Sequence, residues 1–270
     1  MNKTELLTFL NHIGARPKKG LSQNFLIDQH ILHKIVQLAD VGSQDFILEV
    51  GPGPGALTQQ LLKTGAHVVA VEKDALFAEH LMRLQTADQR LEVVSADFLK
   101  WRLPQSSHKW KVVANLPYNI TTPILEKICM HANCFHSITI MVQKEVADRI
   151  CAKPKTKAFG SLTLFLQFYM RYIDSFLVLP HCFFPAPTVD STVLRLDMRA
   201  PPAVDPVPLF QIIHKTYQQR RKMIATTLRP SFPNIVKVLT DSNISPMARP
   251  EELSLNDWIR LFDVLVLKHA

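Results

Sequence analysis

A short apolar segment, followed by a glycine-rich turn and an apolar helix, limits the possible folds of this chain more than any other feature. Residues 46–50 read Phe-Ile-Leu-Glu-Val, residues 51–55 read Gly-Pro-Gly-Pro-Gly, and a helical pattern of leucines begins near Ala56. Strand, glycine turn and helix open a nucleotide-binding βαβ unit, in which glycines let the backbone approach a ligand. Three of the eight glycines fall in these five residues, so we predict a ligand site around Gly51 and Gly53.

Acidic residues follow the next two predicted strands. The apolar run 67–71 ends at Glu72, and the run 91–94 precedes Asp97 and Phe98. An acid about 20 positions after a glycine turn, at a strand end, suits hydrogen bonds to ribose hydroxyls. Asp97 can accept a hydrogen bond from an adenine amino group, and Phe98 can pack on the ring. The alternatives are a solvated Glu72 paired with Lys73, and an Asp97 that caps a helix.

The glycine spacing separates two kinds of nucleotide ligand. The turn reads GxGxG, whereas dinucleotide enzymes use GxGxxG to hold a pyrophosphate. S-adenosylmethionine has no pyrophosphate, so we expect it as the cofactor. An NAD-dependent oxidoreductase is the competing class.

A fourth predicted strand leads into the sequence Asn115-Leu116-Pro117-Tyr118. Pro117 ends the strand because proline cannot donate to a sheet ladder, which leaves its neighbours at a strand end where open α/β sheets bind ligands. An asparagine amide with nearby carbonyls can hold an exocyclic amino group, and a tyrosine ring can stack on a base. The alternative is a plain strand-to-turn junction. Phe183, on a stiff proline-rich loop, is either a second stacking ring or a packed corner of the core.

Alternating strands and helices predict a largely parallel sheet with helices on both faces. A proline-rich stretch at 201–208 marks a boundary, so we predict one domain over residues 1–200 and a helical domain over residues 201–270. The other predicted elements are helices over 2–13, after Asp28, from Thr121, over 143–149 and over 251–267, and strands over 138–142, near 170–179 and over 189–197.

The net charge of +8 and the pI of about 9.4 favour a polyanionic partner such as nucleic acid or an anionic membrane. Local basic clusters decide where such a partner binds, although solvated surface charge is the alternative for each. The predicted RNA-contacting residues are Lys18 and Lys19 on an N-terminal arm, Lys144 and Arg149, the cluster Arg220, Arg221 and Lys222 on a helix, and Arg229.

Four cysteines without a CxxC pair predict reduced, mostly buried thiols and no metal site. The N-terminal residues lack the apolar region of a signal peptide, and no stretch approaches the ~18–20 apolar residues of a membrane span. We therefore expect a soluble, cytoplasmic protein that does not associate with membranes.

Together, these stretches resemble the ribosomal RNA adenine N6-dimethyltransferase family of the KsgA type over nearly the whole chain. The C-terminal matches favour the small-subunit enzymes over the related antibiotic-resistance methyltransferases of large-subunit RNA. The resemblance is carried, in order, by residues 23–26, 49–55, 72, 97, 115–118, 143–146, 183–191, 219–222 and 249–254.

The resemblance implies a Rossmann-like class I methyltransferase sheet with a small all-α C-terminal domain. It implies transfer of two methyl groups from S-adenosylmethionine to N6 of each of two adjacent adenines in the 3′-terminal hairpin loop of small-subunit (16S) rRNA. The expected partner is a pre-30S particle late in assembly, and we expect a monomer. A large-subunit rRNA methyltransferase and a non-catalytic RNA-binding assembly factor are the alternatives.

The resemblance also implies roles by position. Tyr118 and Phe183 would sandwich the base, and Asn115 with the carbonyls of Leu116 and Pro117 would hold its amino group. The residues that would contact S-adenosylmethionine are Asn24, Leu26, Gly51, Glu72, Asp97 and Asn115. Departures from the family pattern, which we expect to affect RNA affinity rather than cofactor binding, stand at Leu21, Ser22, Phe159, Ser161 and Thr188.

Overall fold

The computed structural model describes residues 1–17 and 23–267. The chain forms two compact units, Met1–Ala147 with Arg171–Met198, and Asp148–Met170 with Arg199–Ala270. This division differs from the predicted boundary at residue 200, because residues 148–170 belong to the second unit. Lys18, Lys19, Leu21 and Ser22, which we singled out in the sequence, lie outside the described residues.

The first unit is built on a mostly parallel sheet, as predicted. Seven strands follow the order β4-β3-β2-β5-β6-β9-β7, with β9 antiparallel to β6, and β1 pairs with β8. The strands are β1 (Phe25–Leu26), β2 (Phe46–Val50), β3 (His67–Glu72), β4 (Leu91–Ser95), β5 (Trp110–Asn115), β6 (Phe135–Gln143), β7 (Met170–Val178), β8 (Phe183–Phe184) and β9 (Ser191–Met198).

Helices precede the first parallel strand and connect several of the later ones. Asp28 caps one of them as predicted, because its carboxylate accepts from the N–H groups of His30 and Ile31 at 2.9 and 3.1 Å. The helices are α1 (Lys3–His12), α2 (Gln29–Ala39), α3 (Ala56–Lys63), α4 (Ala75–Ala87), α5 (Thr121–Met130) and α6 (Lys144–Ile150), of which the last carries the chain into the second unit.

The strand register decides where the ends of the strands lie. Val50 is level with Val71 across the β2–β3 pair, and Glu72 is level with Ser95 across the β3–β4 pair. Parallel strands that end level place the loops after them side by side. The glycine turn, Glu72 and the segment after Ser95 therefore share one edge of the sheet.

The second unit is helical and has its own apolar core around Trp258, Phe159 and Phe168. Its helices are α7 (Ser161–Tyr169), α8 (Pro206–Tyr217), α9 (Ile224–Leu228), α10 (Ile235–Asp241) and α11 (Leu255–Leu267). We assigned no element to α7 from the sequence. Its apolar residues are not confined to one face, so the helical stripe that would reveal it is missing.

Two details of the second unit correct the sequence analysis. The helix α8 ends at Tyr217, so the cluster at residues 220–222 lies in a turn and not on a helix. The last helix begins at Leu255, after a separate 3₁₀ turn over Pro250–Glu252, and not at residue 251.

Two further observations concern expectations from composition. Cys129 and Cys182 are buried, Cys134 is half-buried and Cys151 is exposed, so burial of the thiols is less general than predicted. Within the described residues, every helix is too short or too polar to cross a membrane.

Candidate active site

A cavity in the first unit opens at the carboxyl edge of the parallel strands. Every residue predicted to contact the cofactor lies in its wall, and so does the whole segment 115–118. Its lining includes residues 23–27, 49–54, 71–73, 96–98 and 115–120, together with Met1, Leu6, Leu32, Ala56 and Leu57.

Glu72 is hydrogen-bonded to the glycine turn. Its carboxylate accepts from the N–H of Gly53 at 2.9 Å through one oxygen and from the N–H of Asp74 at 2.7 Å through the other. Gly51 and Gly53 have φ of 70° and 54°, a region that favours glycine. Burial raises the pKa of Glu72, which is only 6% exposed. The alternative of a solvated Glu72 paired with Lys73 is therefore wrong.

Lys73 pairs with Asp97 instead, with its Nζ 2.9 Å from Oδ2 of that residue. This hydrogen bond lowers the pKa of Asp97. The other carboxylate oxygen accepts from the N–H of Leu99 at 3.0 Å, so Asp97 also fastens the turn that follows it. Both interpretations of Asp97 are thus compatible with its position in the cavity wall. Phe98, which is buried, supplies an apolar part of that wall.

The amide of Asn115 is oriented by the N-terminal segment. Its Nδ2 donates to the carbonyl of Asn24 at 3.3 Å, which leaves its Oδ1 to accept from a ligand. The carbonyl of Pro117 already accepts from the N–H of Ile120 and the hydroxyl of Thr121, at 3.2 and 3.3 Å. Of the two main-chain carbonyls that we predicted to hold an amino group, the Leu116 carbonyl is therefore the better acceptor.

The two predicted stacking rings differ in position. Tyr118 lies in the cavity wall, whereas Phe183 is absent from the described residues of that wall. Phe183 is 3% exposed, pairs with Leu26 across the β1–β8 bridge and belongs to the core of the unit. In this arrangement Phe183 is a packed corner of the core, so the predicted sandwich has one ring in place.

Glu49 is a site residue that the sequence analysis did not single out. It lies in the cavity wall, is 1% exposed, and its Oε2 has no hydrogen-bond partner among the described residues. Burial raises its pKa to about 8, and the nearby Glu72 adds to the shift. The signal in the sequence was a single carboxylate inside the apolar strand β2, just before the glycines.

Because the folded protein keeps a proton on Glu49 that the unfolded chain loses near pH 4.3, stability should fall as the pH rises from about 4.3 to 8. We expect Glu49→Gln to remove this loss and to raise Tm above the wild type, with a larger difference at pH 8 than at pH 5. Thermal unfolding of the cofactor-free protein at pH 5 and at pH 8 measures this difference in Tm. Glu92→Gln, at an exposed position on β4, is the matched control. A difference in Tm between Glu49→Gln and the wild type that is the same at both pH values would contradict the raised pKa of Glu49.

Comparison with known proteins identifies the family. The model of the ribosomal RNA adenine dimethylase family matches residues 14–266. The chain belongs to this family. Two relatives named ribosomal RNA small subunit methyltransferase A, from Protochlamydia amoebophila and Chlamydia caviae, are 44% and 43% identical to it. Each alignment covers 97% of this chain and 96% of the relative.

Solved structures agree with the fold of this rRNA adenine dimethylase. A dimethyladenosine transferase from Plasmodium falciparum superposes with a TM-score of 0.81, at 23% identity, over 91% of this chain and 98% of that one. The 23S rRNA methyltransferase ErmE superposes with a TM-score of 0.70, at 26% identity, over 90% and 100%. The predicted class I methyltransferase fold and S-adenosylmethionine as the methyl donor are confirmed, and the oxidoreductase alternative is wrong.

The predicted RNA-contacting residues of this dimethylase occupy several surfaces. Lys144, Arg149 and Arg229 are exposed. In the second unit, Arg220 donates to the carbonyls of Lys157 and Thr156 at 3.0 and 3.3 Å and lies 3.5 Å from Glu251. We call the residues 153–157 and 220–222 the basic surface. The lysines at 153, 155 and 157 are members that we did not predict from the sequence to contact RNA.

Proposed function

We propose that this protein dimethylates N6 of two adjacent adenines in the 3′-terminal hairpin loop of small-subunit rRNA, within a precursor of the small ribosomal subunit. The names and the near-complete alignment of the Protochlamydia and Chlamydia relatives support the choice of small-subunit RNA. One geometric observation supports the chemistry. The amide of Asn115 is fixed by the carbonyl of Asn24, with its oxygen left to receive an amino group beside the glycine turn.

The cavity residues fit S-adenosylmethionine, which, when bound, supplies a methyl group on a positively charged sulfur that leaves readily. The buried Oε2 of Glu49, which has no partner among the described residues, is a polar atom that a bound ligand can satisfy. Glu72 would accept from ribose hydroxyls, Asp97 from the adenine amino group, and Phe98 would pack on the ring. The backbone of Gly51 and Gly53 would approach the ligand closely.

Asn115 performs the central task of this mechanism. The lone pair of an adenine amino group is delocalised into the ring, which makes the nitrogen a poor nucleophile. Hydrogen bonds from that group to Oδ1 of Asn115 and to the Leu116 carbonyl favour a pyramidal nitrogen with a localised lone pair. They also hold the nitrogen in one position, and such positioning is worth several kcal/mol in favourable cases.

Tyr118 holds the base itself. A ring stacked on an unstacked base contributes about 1–3 kcal/mol. An adenine in a hairpin loop costs less to extrude than a paired one, so a loop is a suitable target. The carboxylates of Glu72 and Asp97 are already engaged by N–H groups and by Lys73. We propose that no general base acts and that the proton leaves to water after methyl transfer.

The decisive experiment measures labelled methyl transfer from S-adenosylmethionine to small ribosomal subunits that lack the modification, with naked large-subunit RNA in parallel. We expect label in small-subunit adenines, approaching four methyl groups per particle. Label only in large-subunit RNA would contradict the proposal and favour the activity that the name of ErmE describes. An absence of label in both, with cofactor binding intact, would favour a non-catalytic assembly factor.

The basic surface gives a prediction about RNA affinity. Arg221 is exposed, whereas the guanidinium of Arg220 is engaged by two carbonyls. We expect Arg221→Ala to reduce the slope of log affinity against log salt by about one, at unchanged Tm, because one phosphate contact is lost. Arg220→Ala should also lower Tm by a few degrees, since about 1 kcal/mol of contacts to residues 156 and 157 is lost.

Salt-dependent binding to the small subunit and thermal unfolding measure the two effects. Lys63→Ala, which removes an exposed charge from α3, is the matched control and should change neither quantity. An unchanged slope for Arg221→Ala would remove this residue from the proposed RNA interface.

We also propose that the protein is a monomer and that it is cytoplasmic. Sedimentation of the purified protein tests the monomeric state.

A further inference from the structure

The hydroxyl of Tyr118 is tied to a second, distant part of the chain. It lies 2.6 Å from Oγ of Ser191, a hydrogen-bond distance, and Ser191 is 0% exposed. The tyrosine ring itself is half-buried and lies in the cavity wall. The ring is therefore held at both ends, by its own backbone and by its hydroxyl.

The position of Ser191 follows from the sheet. Ser191 is the first residue of β9 and pairs with Gln143, the last residue of β6. The N–H of Lys144 donates to the carbonyl of Asp190 at 2.9 Å and fixes the approach to the strand. An antiparallel strand begins where its parallel neighbours end. This is why a serine from residue 191 reaches the edge of the sheet that carries Asn115.

A tether of this kind affects the ring and not the cofactor. A tyrosine that is free at its hydroxyl can rotate about χ1, whereas a hydroxyl bonded to a buried group on a strand selects one rotamer. A ring held in its stacking position before the base arrives loses less entropy when the base binds. The hydrogen bond also satisfies the hydroxyl of Ser191, which is buried.

We propose that Ser191 is a positioning residue for the target base, which holds the Tyr118 ring in the orientation that stacks on the adenine. This inference rests on the proposed function, because it takes the stacked ligand to be the adenine that receives the methyl group. Ser191 is not among the described residues of the cavity wall, so its proposed effect on the base is exerted through the tyrosine.

A double-mutant cycle of Ser191→Ala and Tyr118→Phe tests the proposal. Each change removes the same hydrogen bond, and Tyr118→Phe keeps the ring. We expect each single variant to lose about fivefold to tenfold in kcat/KM for RNA, at an unchanged Kd for S-adenosylmethionine. The double variant should be no worse than either single one, because the two changes share one interaction.

The RNA in this test is whichever one the wild-type enzyme methylates, so a wrong choice of ribosomal subunit does not decide it. A second readout needs no turnover. A hairpin with 2-aminopurine at the target position, bound in the presence of S-adenosylhomocysteine, should be quenched by stacking in the wild type and brighter in both single variants. Ser137→Ala, at a buried serine at the other end of β6, is the matched control.

Three outcomes would overturn the proposal. Losses that multiply in the double variant would mean that the two hydroxyls act separately. A Ser191→Ala variant with wild-type kcat/KM and wild-type fluorescence, beside an impaired Tyr118→Phe, would mean that the tyrosine hydroxyl works without its tether. A variant that is impaired only because its Tm has collapsed would show a raised Kd for S-adenosylmethionine as well, which also counts against a positioning role.

Discussion

Asn115→Ala is expected to lower kcat for methyl transfer at least about 100-fold, while the Kd for S-adenosylmethionine rises no more than about fivefold. The alanine removes the oxygen that receives the amino group, and losses of this order follow when one oriented polar contact to a reacting group is removed. Single-turnover methylation with saturating cofactor measures the chemical step, and calorimetry measures cofactor binding.

A second variant separates the acceptor from its orientation. Asn115→Asp keeps oxygen acceptors of similar size but has no N–H to donate to the carbonyl of Asn24. We expect it to be nearly as slow as the alanine variant, because its carboxylate is repelled by that carbonyl. Asn133→Ala, at an exposed asparagine, is the control and should keep the wild-type rate. A rate for Asn115→Ala within about threefold of the wild type would be incompatible with the proposed mechanism.

The second large effect concerns cofactor affinity. Glu72→Ala is expected to raise the Kd for S-adenosylmethionine about 10- to 100-fold, because the carboxylate accepts two N–H groups and is the proposed partner of the ribose hydroxyls. At saturating cofactor, kcat should remain near the wild-type value. Glu72→Ala should thus weaken cofactor binding and leave kcat nearly unchanged, whereas Asn115→Ala should lower kcat and leave cofactor binding nearly unchanged.

We expect that glutamine, usually a conservative replacement for glutamate, does not rescue Glu72. One carboxylate oxygen faces the N–H of Gly53 and the other faces the N–H of Asp74, so an NH₂ group in either place meets another donor. We therefore expect Glu72→Gln to bind cofactor about as weakly as the alanine variant. Glu79→Gln, on the exposed face of α4, serves as the control. A glutamine variant with wild-type affinity would show that the turn tolerates this change, and the role of Glu72 would need revision.

The residues that we predicted to contact the cofactor lie together in the cavity wall because their placement follows from local patterns. A strand, a glycine turn and an acid at the next strand end are contiguous patterns, and parallel strands bring their ends together by rule. The positions of Gly53, Glu72 and Asp97 in one wall follow directly. Asn115 could be placed for the same reason, since Pro117 marks the end of its strand.

Some of what failed depends on contacts between distant segments, since the burial of Phe183 is decided by its pairing with Leu26. The engagement of the Pro117 carbonyl is local, but it depends on the hydrogen bonds of the turn that follows, which the residue types alone do not specify. Glu49 escaped notice because its pattern is that of an apolar strand, and only its burial makes the carboxyl unusual. The hydrogen bond between Tyr118 and Ser191 spans 73 positions, which no local pattern predicts.

The helix α7 was missed for a related reason. A helix that is apolar around most of its circumference has no polar face to set its period, and residues 161–169 are of this kind. These residues pack with α8 and α11 in the second core, which is why the division of the chain is not the single boundary that the prolines suggest.

The strand order has a consequence for the newly made chain. Strand β7 is completed before β9, yet β9 lies between β6 and β7 in the sheet. While the ribosome is adding residues 179–198, β7 has no partner in the sheet, and the edge of β6 that β9 will cover is open. At about 5–20 residues per second, this interval lasts on the order of seconds. During this interval the open strand edge can pair with another chain. The enzyme that we propose to act on a nearly finished ribosomal subunit is thus itself prone to aggregation while a ribosome is still making it.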